Sequence, residues 1–132
     1  MSALAVGQEI PALRVEAGLP EMKLFSLIMA DPNPIHFDPE HTAALGMGPR
    51  PINQGTLNMA YPIDALIAVI GDPARIRRFQ CRFLGNVVAG DVLDAAGRVL
   101  AIEDGVATVE LWLDQVDGPR VLAGIAEVSI VD

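Results

Sequence analysis

Hydrophobic positions along the chain switch between a helical period and a period of two. Across 54–70, Leu57, Met59, Ala60, Tyr61, Ile63, Leu66, Ile67, Val69 and Ile70 cover nearly every face of a helix, the pattern of a buried one. At 1.5 Å per residue such a helix is about 25 Å long. Pro62 removes the bond to the Asn58 carbonyl and predicts a kink, and Gly71 closes the helix. Beyond it the period falls to two. Runs at 75–84, 91–103, 106–116 and 121–131 read as strands. In the third, Val109, Leu111 and Leu113 share one face, and Thr108, Glu110, Trp112 and Asp114 share the other. Asp104-Gly105 and Asp117-Gly118 are pairs that favour tight hairpin turns. Upstream, 10–17 alternates loosely up to Gly18, and Pro20 and Glu21 open a short apolar helix at 22–30. One long helix followed by a meander of strands predicts an α+β fold, an antiparallel sheet wrapped round the helix. No linker or repeat interrupts it, so a single domain is expected over 1–132.

Between the short helix and the long one, the pattern gives way to Asp31-Pro32-Asn33-Pro34-Ile35-His36-Phe37-Asp38. The prolines fix their own φ and push Asp31 and Asn33 toward extended geometry, which predicts a stiff loop. Asp31 and His36, five apart, do not share a helix face, but on such a loop their side chains can converge on one water. A carboxylate and an imidazole can then divide acid and base roles. The plainer alternative has Asp31 and Asn33 serving turns and His36 filling the core. Asp38-Pro39-Glu40-His41 has the order of a helix cap, a first-turn proline and an acid, so Asp38 is expected to cap a short helix that carries a solvated His41. Asp31, His36, Asp38 and His41 offer oxygen and nitrogen ligands, but their spacing matches no standard zinc pattern and includes no thiolate.

Composition narrows the function classes. The net charge of −8, without a basic stripe, argues against nucleic acid and anionic membrane surfaces. The chain is 52% hydrophobic but 5% aromatic, which predicts an aliphatic core with some apolar surface hidden against a partner. The one cysteine, Cys81, excludes an internal disulfide, suits a reducing cytosol and is expected to be a buried structural thiol. Residues 1–11 show no signal-peptide pattern, and the apolar run 57–70 is too short for a membrane span, so a cytoplasmic protein is expected.

The segment Asp31-x-Asn33-Pro34-Ile35-His36 resembles the signature of MaoC-like, (R)-specific enoyl-thioester hydratases and dehydratases. Ile52-Asn53-Gln54-Gly55-Thr56-Leu57 is similar to the Ile-x-His-Gly-x-Leu start of that family's central helix. Arg82-Phe83-Leu84-Gly85 and Gly90-Asp91 extend the resemblance over nearly the whole chain. It implies a hot-dog fold and reversible hydration of a trans-2-enoyl-CoA or related thioester, without cofactor or metal. It also implies at least a homodimer, with the site near the subunit interface. Asp31 and His36 would activate one water, and the Gly55 backbone N–H would stabilise the enolate-like oxygen. Asn33 would support the loop.

Two residues depart from the family pattern. Ala30 stands where a glycine usually precedes the aspartate, and Gln54 where a histidine precedes the oxyanion glycine. Gln54 still offers hydrogen bonds but does not titrate near neutrality. Altered substrate choice is expected more than lost activity. Two further readings remain open: a half-active or non-catalytic acyl-binding subunit that pairs with a related chain, and a thioesterase using Asp64, the only acid in the long helix. Arg75, Arg77, Arg78 and Arg82 form the local basic cluster, with Arg75 and Arg77 on one strand face and Arg78 and Arg82 on the other. They would meet coenzyme A phosphates or balance acidic neighbours.

Overall fold

The computed structural model of the chain describes residues 3–130. Strand β1 (Glu9–Glu16) leads into helix α1 (Leu19–Ile28), which has Pro20 in its first turn and Glu21 beside it. A 3-10 turn (Pro34–His36) and helix α2 (Pro39–Ala44) precede the long helix α3 (Gly55–Ile70). Strands β2 (Ile76–Phe83), β3 (Val92–Glu103), β4 (Val106–Gln115) and β5 (Arg120–Ser129) complete one antiparallel sheet. The expected continuation of the last strand to Val131 lies outside the described residues.

Helix α3 packs across β1, β3 and β4. Leu66 and Ile70 of the helix meet the alternating inner residues of the sheet, among them Leu93, Val109, Leu111, Leu113 and Leu122. At roughly 25 cal/mol per Å² of apolar area removed from water, this shared core is the main favourable contribution to folding. The predicted faces of β4 are observed, with Val109, Leu111 and Leu113 fully buried. This is the hot-dog arrangement.

Two features differ from expectation. The helix is buried along one stripe (Asn58, Pro62, Ala65, Leu66 and Ile70), while Thr56, Asp64 and Ala68 are exposed, because one sheet covers only one of its sides. Pro62 lies inside α3 without ending it, in line with the helix expected over 54–70. The strand order is β1-β3-β4-β5-β2, so only β3 to β5 form a meander and β2 pairs with β5 at the far edge. No tight-turn pair joins β2 to β3. The connecting segment instead crosses the fold, burying Val87 and bridging Val88 to Ile52.

The turns also differ. Asp104 and Gly105 both have positive φ (51° and 78°), so they form the expected two-residue hairpin. Asp117, at φ 59°, belongs to a wider connection closed by the Gln115 N–H to the Pro119 carbonyl (3.0 Å). Arg75 sits in a 3-10 turn (Pro73–Arg75), with its Nε donating to the Ser129 carbonyl, and so does not share a strand face with Arg77. A register shift between Ile76 and Arg78 breaks the simple alternation there. Cys81 on β2 is half-buried rather than buried, and burial raises its thiol pKa.

Candidate active site

The chain enters the loop through a strained residue. Ala30 has φ +51°, the left-handed region that glycine occupies without penalty, and the Asp31 N–H then donates to the Ser26 carbonyl at the end of α1 (2.9 Å). Ala30→Gly relieves about 1–2 kcal/mol of strain but loosens the unfolded chain by about 0.5–1 kcal/mol. Its stability in denaturant titration should therefore stay within about 1 kcal/mol of wild type. Ala30→Val, β-branched at the same φ, should lose about 1–3 kcal/mol.

The two oxygens of Asp31 have different surroundings. Oδ1 accepts the Asn33 N–H (3.1 Å), and Asn33 Oδ1 accepts the Ile35 N–H (3.2 Å), so short side chains stiffen the loop from within. Oδ2 faces His36 Nε2 at 3.4 Å, long for a direct hydrogen bond. His36 Nδ1 lies 2.7 Å from the Ile52 carbonyl. A carbonyl only accepts, so Nδ1 carries the hydrogen and neutral His36 presents a bare Nε2. Two acceptors then face each other, a place suited to a water whose two hydrogens reach both. The imidazole is 12% exposed and the carboxylate 40%, so the pair has one side open to solvent.

The same bonds tie the loop to the start of α3. The Ile52 N–H donates to the Ile35 carbonyl (2.7 Å), and the first helical bond of α3 runs from the Asn58 N–H to the Gln54 carbonyl (3.1 Å). The N–H groups of Gly55, Thr56 and Leu57 therefore lack helical partners and carry the positive end of the helix dipole. A cavity of about 510 Å³ brings Asp31, His36, Gln54, Gly55 and Thr56 together under an apolar wall of Phe25, Met29, Met59 and Phe83. Asp31 also borders a neighbouring hollow of about 480 Å³ lined by Lys23, Leu27, Ala30 and Phe37.

A Cβ at Gly55 would stand 3.3 Å from the Phe83 ring. Gly55→Ala keeps the N–H but crowds the ring and narrows the space before it. A fall in kcat/KM of about tenfold is expected, measured beside an unchanged melting curve.

Gln54 is buried and bridges to α1: its Nε2 donates to the Met22 carbonyl (2.9 Å) and to Ser26 Oγ (2.8 Å). Asn53 turns instead to Asn58 (2.7 Å) and Tyr61 (3.2 Å), and does not line the cavity. Tyr61 has a pKa raised chiefly by burial, against the lowering effect of the Asn53 hydrogen bond.

Asp38 is a cap, accepting the N–H groups of Glu40 and His41, and His41 is half-buried rather than solvated. Neither lines the cavity, and among the described residues no three His, Cys, Asp or Glu side chains form a metal-ligand set. Asp64 is exposed on α3 outside the cavity, and Arg75, Arg77, Arg78 and Arg82 also lie outside it. The apolar wall and the Ile52 carbonyl were not singled out from the sequence. Phe83 lies 28 residues beyond Gly55, and no local pattern marks that contact.

Comparison with known proteins finds relatives of this domain. The family model described as "MaoC like domain" matches residues 6–113. Over 76 residues the chain is 36% identical to enoyl-CoA hydratase 2, peroxisomal, of Arabidopsis thaliana, a match covering 56% of this chain and 24% of that protein. It is 29% identical over 109 residues to enoyl-CoA hydratase ChsH3 of Mycobacterium tuberculosis, covering 81% of this chain and 32% of that protein. The chain thus spans a third or less of the length of these curated relatives. The solved (R)-hydratase of A. caviae, described as involved in PHA biosynthesis, superposes with a TM-score of 0.88 at 25% identity, covering 99% of this chain and 100% of that one. With most of its length matched by the family model, the chain belongs to the MaoC-like domain family.

Proposed function

We propose that this chain adds water reversibly to a trans-2-enoyl thioester, carried by coenzyme A, to give the (R)-3-hydroxyacyl thioester. The observation that carries this reading is the pairing of Asp31 Oδ2 and His36 Nε2, two fixed acceptors 3.4 Å apart, in one cavity with the unpaired N–H of Gly55. A water held by both acceptors gives its oxygen to C3 of the substrate. Asp31 and His36 take the proton released and return one to C2. Between those events the electron pair rests on the thioester oxygen, where the Gly55 N–H and the α3 dipole stabilise it without reorganising. Asn33 keeps the Asp31 carboxylate oriented, and Gln54 ties α1 to the start of α3. The chemistry calls for no metal or redox cofactor.

The partner we infer is a second copy of the chain. Strands β1 and β2 leave open edges, and β2 carries Phe83 and is followed by Leu84, both more than half exposed. Covering that edge would also shield the cavity that Phe83 lines. Sedimentation of the purified chain should give twice the monomer mass; a monomer would remove the homodimer from this reading. No described helix is long and apolar enough to cross a membrane. With its lone half-buried thiol, the chain is assigned to the reducing cytoplasm.

The test is loss of enoyl-thioester absorbance with short and medium 2-enoyl-CoA substrates, followed by chiral analysis of the product. An (R)-3-hydroxyacyl product supports the reading. An (S)-product, or thioester cleavage without hydration, would sink it.

A further inference from the structure

Asp31 stands between two hollows. The cavity of about 510 Å³ holds it with His36 and Gly55. The neighbouring hollow of about 480 Å³ holds it with Leu27, Ala30, Pro32 and Phe37, none of which lines the first. This second hollow lies between α1 and the stiff loop. Its charged members are Lys23 and Asp31, and its remaining polar member, Ser26, is buried with Oγ already accepting a Gln54 N–H (2.8 Å). The rest of the lining is hydrocarbon. Leu27 is 78% exposed there, a large apolar side chain turned mostly to solvent. Pro32, with its fixed φ, keeps the opposite wall from collapsing onto it.

The reaction sets an order along these spaces. In the hydratase reading the thioester oxygen lies at the Gly55 N–H, and C3 lies at the water between Asp31 and His36. The direction from C1 to C3 therefore runs from Gly55 toward Asp31. Carbons beyond C3 continue past Asp31, where the second hollow begins. The chemistry of the two spaces agrees with that direction. A coenzyme A arm carries amides, and the first cavity offers them the exposed Thr56 and the free N–H groups of the first turn of α3. The second hollow is poor in hydrogen-bonding groups, which disfavours amides and suits an alkyl chain.

We propose that the hollow between α1 and residues 32–37 is the acyl-chain subsite, which takes the carbons beyond C3 and makes this chain prefer medium-length hydrocarbon thioesters over short ones. This rests on the hydratase reading for the identity of the ligand. The preference comes from apolar area removed from water on both sides, the tail and the wall formed by Leu27, Pro32 and Phe37.

The test is photolabelling with a saturated, unreactive octanoyl-CoA analogue that carries a diazirine at the far end of its acyl chain, with labelled residues assigned by mass spectrometry. The label should fall on Leu27, Pro32 or Phe37 and be displaced by excess octanoyl-CoA. Labels on Met59 or Phe83, or none that octanoyl-CoA displaces, would overturn the proposal. Calorimetry supplies a second arm. From butyryl-CoA to octanoyl-CoA, wild type should gain at least about tenfold in affinity, the effect of half-covering the added CH₂ groups. Leu27→Gln, a neutral change at an exposed helical position, should cut that gain to a few-fold. A gain that survives the substitution intact overturns the proposal. If free coenzyme A loses as much affinity as octanoyl-CoA, the hollow holds the carrier arm and the proposal also falls. Because labelling needs no turnover, labels in the hollow without hydration would leave the subsite standing and remove the hydratase reading. Hydration with labels on Met59 or Phe83 would do the reverse.

Discussion

Asp31→Asn should lower kcat by about 10² to 10⁴-fold while leaving the fold intact. The substitution is nearly isosteric, and the amide oxygen can still accept the Asn33 N–H that Oδ1 accepts now. What changes is the atom facing His36. The new amide nitrogen donates, and at the 3.4 Å separation it would point a hydrogen at the bare Nε2. One substitution thus removes the carboxylate and blocks the imidazole. Circular dichroism and the melting curve should match wild type, with the loss in kcat rather than KM.

His36→Ala should cost activity on the same scale, about 10² to 10⁴-fold, but with a structural penalty beside it. The imidazole occupies the Ile52 carbonyl through Nδ1 at 2.7 Å. Removing it leaves that buried carbonyl unpaired, at about 1–3 kcal/mol, and frees a clamp between the loop and the start of α3. His36→Gln separates the two effects. Its side-chain N–H can reach for the Ile52 carbonyl and recover stability, but it offers no titrating nitrogen to the water. Stability restored without activity is the expected result in paired denaturation and rate measurements.

The parts of the fold legible in the sequence are those set by neighbours in the chain. The alternation of Val109, Leu111 and Leu113 fixed one face of β4, and Asp104-Gly105 made the hairpin because both residues accept positive φ. The place of β2 beside β5 was not legible, because it depends on a crossing by residues with no turn signal of their own. The candidate site divides in the same way. Asp31 and His36 stood out because prolines and Asx side chains specify a stiff loop over eight residues. The clamp on His36 comes from Ile52, 16 residues away, and the anchors of Gln54 come from Met22 and Ser26, about 30 residues before it. Such contacts leave no local pattern. The departure at position 30 was visible as a residue type, but its consequence, an alanine held at φ +51°, needed the structure.

The central claim is that Asp31 and His36 act on one water as a unit. The most direct test is kcat/KM for hydration of one short 2-enoyl-CoA by wild type, Asp31→Asn, His36→Ala and the double variant. Residues that share a single task lose it once, so their losses do not add as free energies. The double variant should be no more than a few-fold slower than the slower single variant. Losses that multiply, or a wild type that hydrates no faster than buffer, would contradict the account.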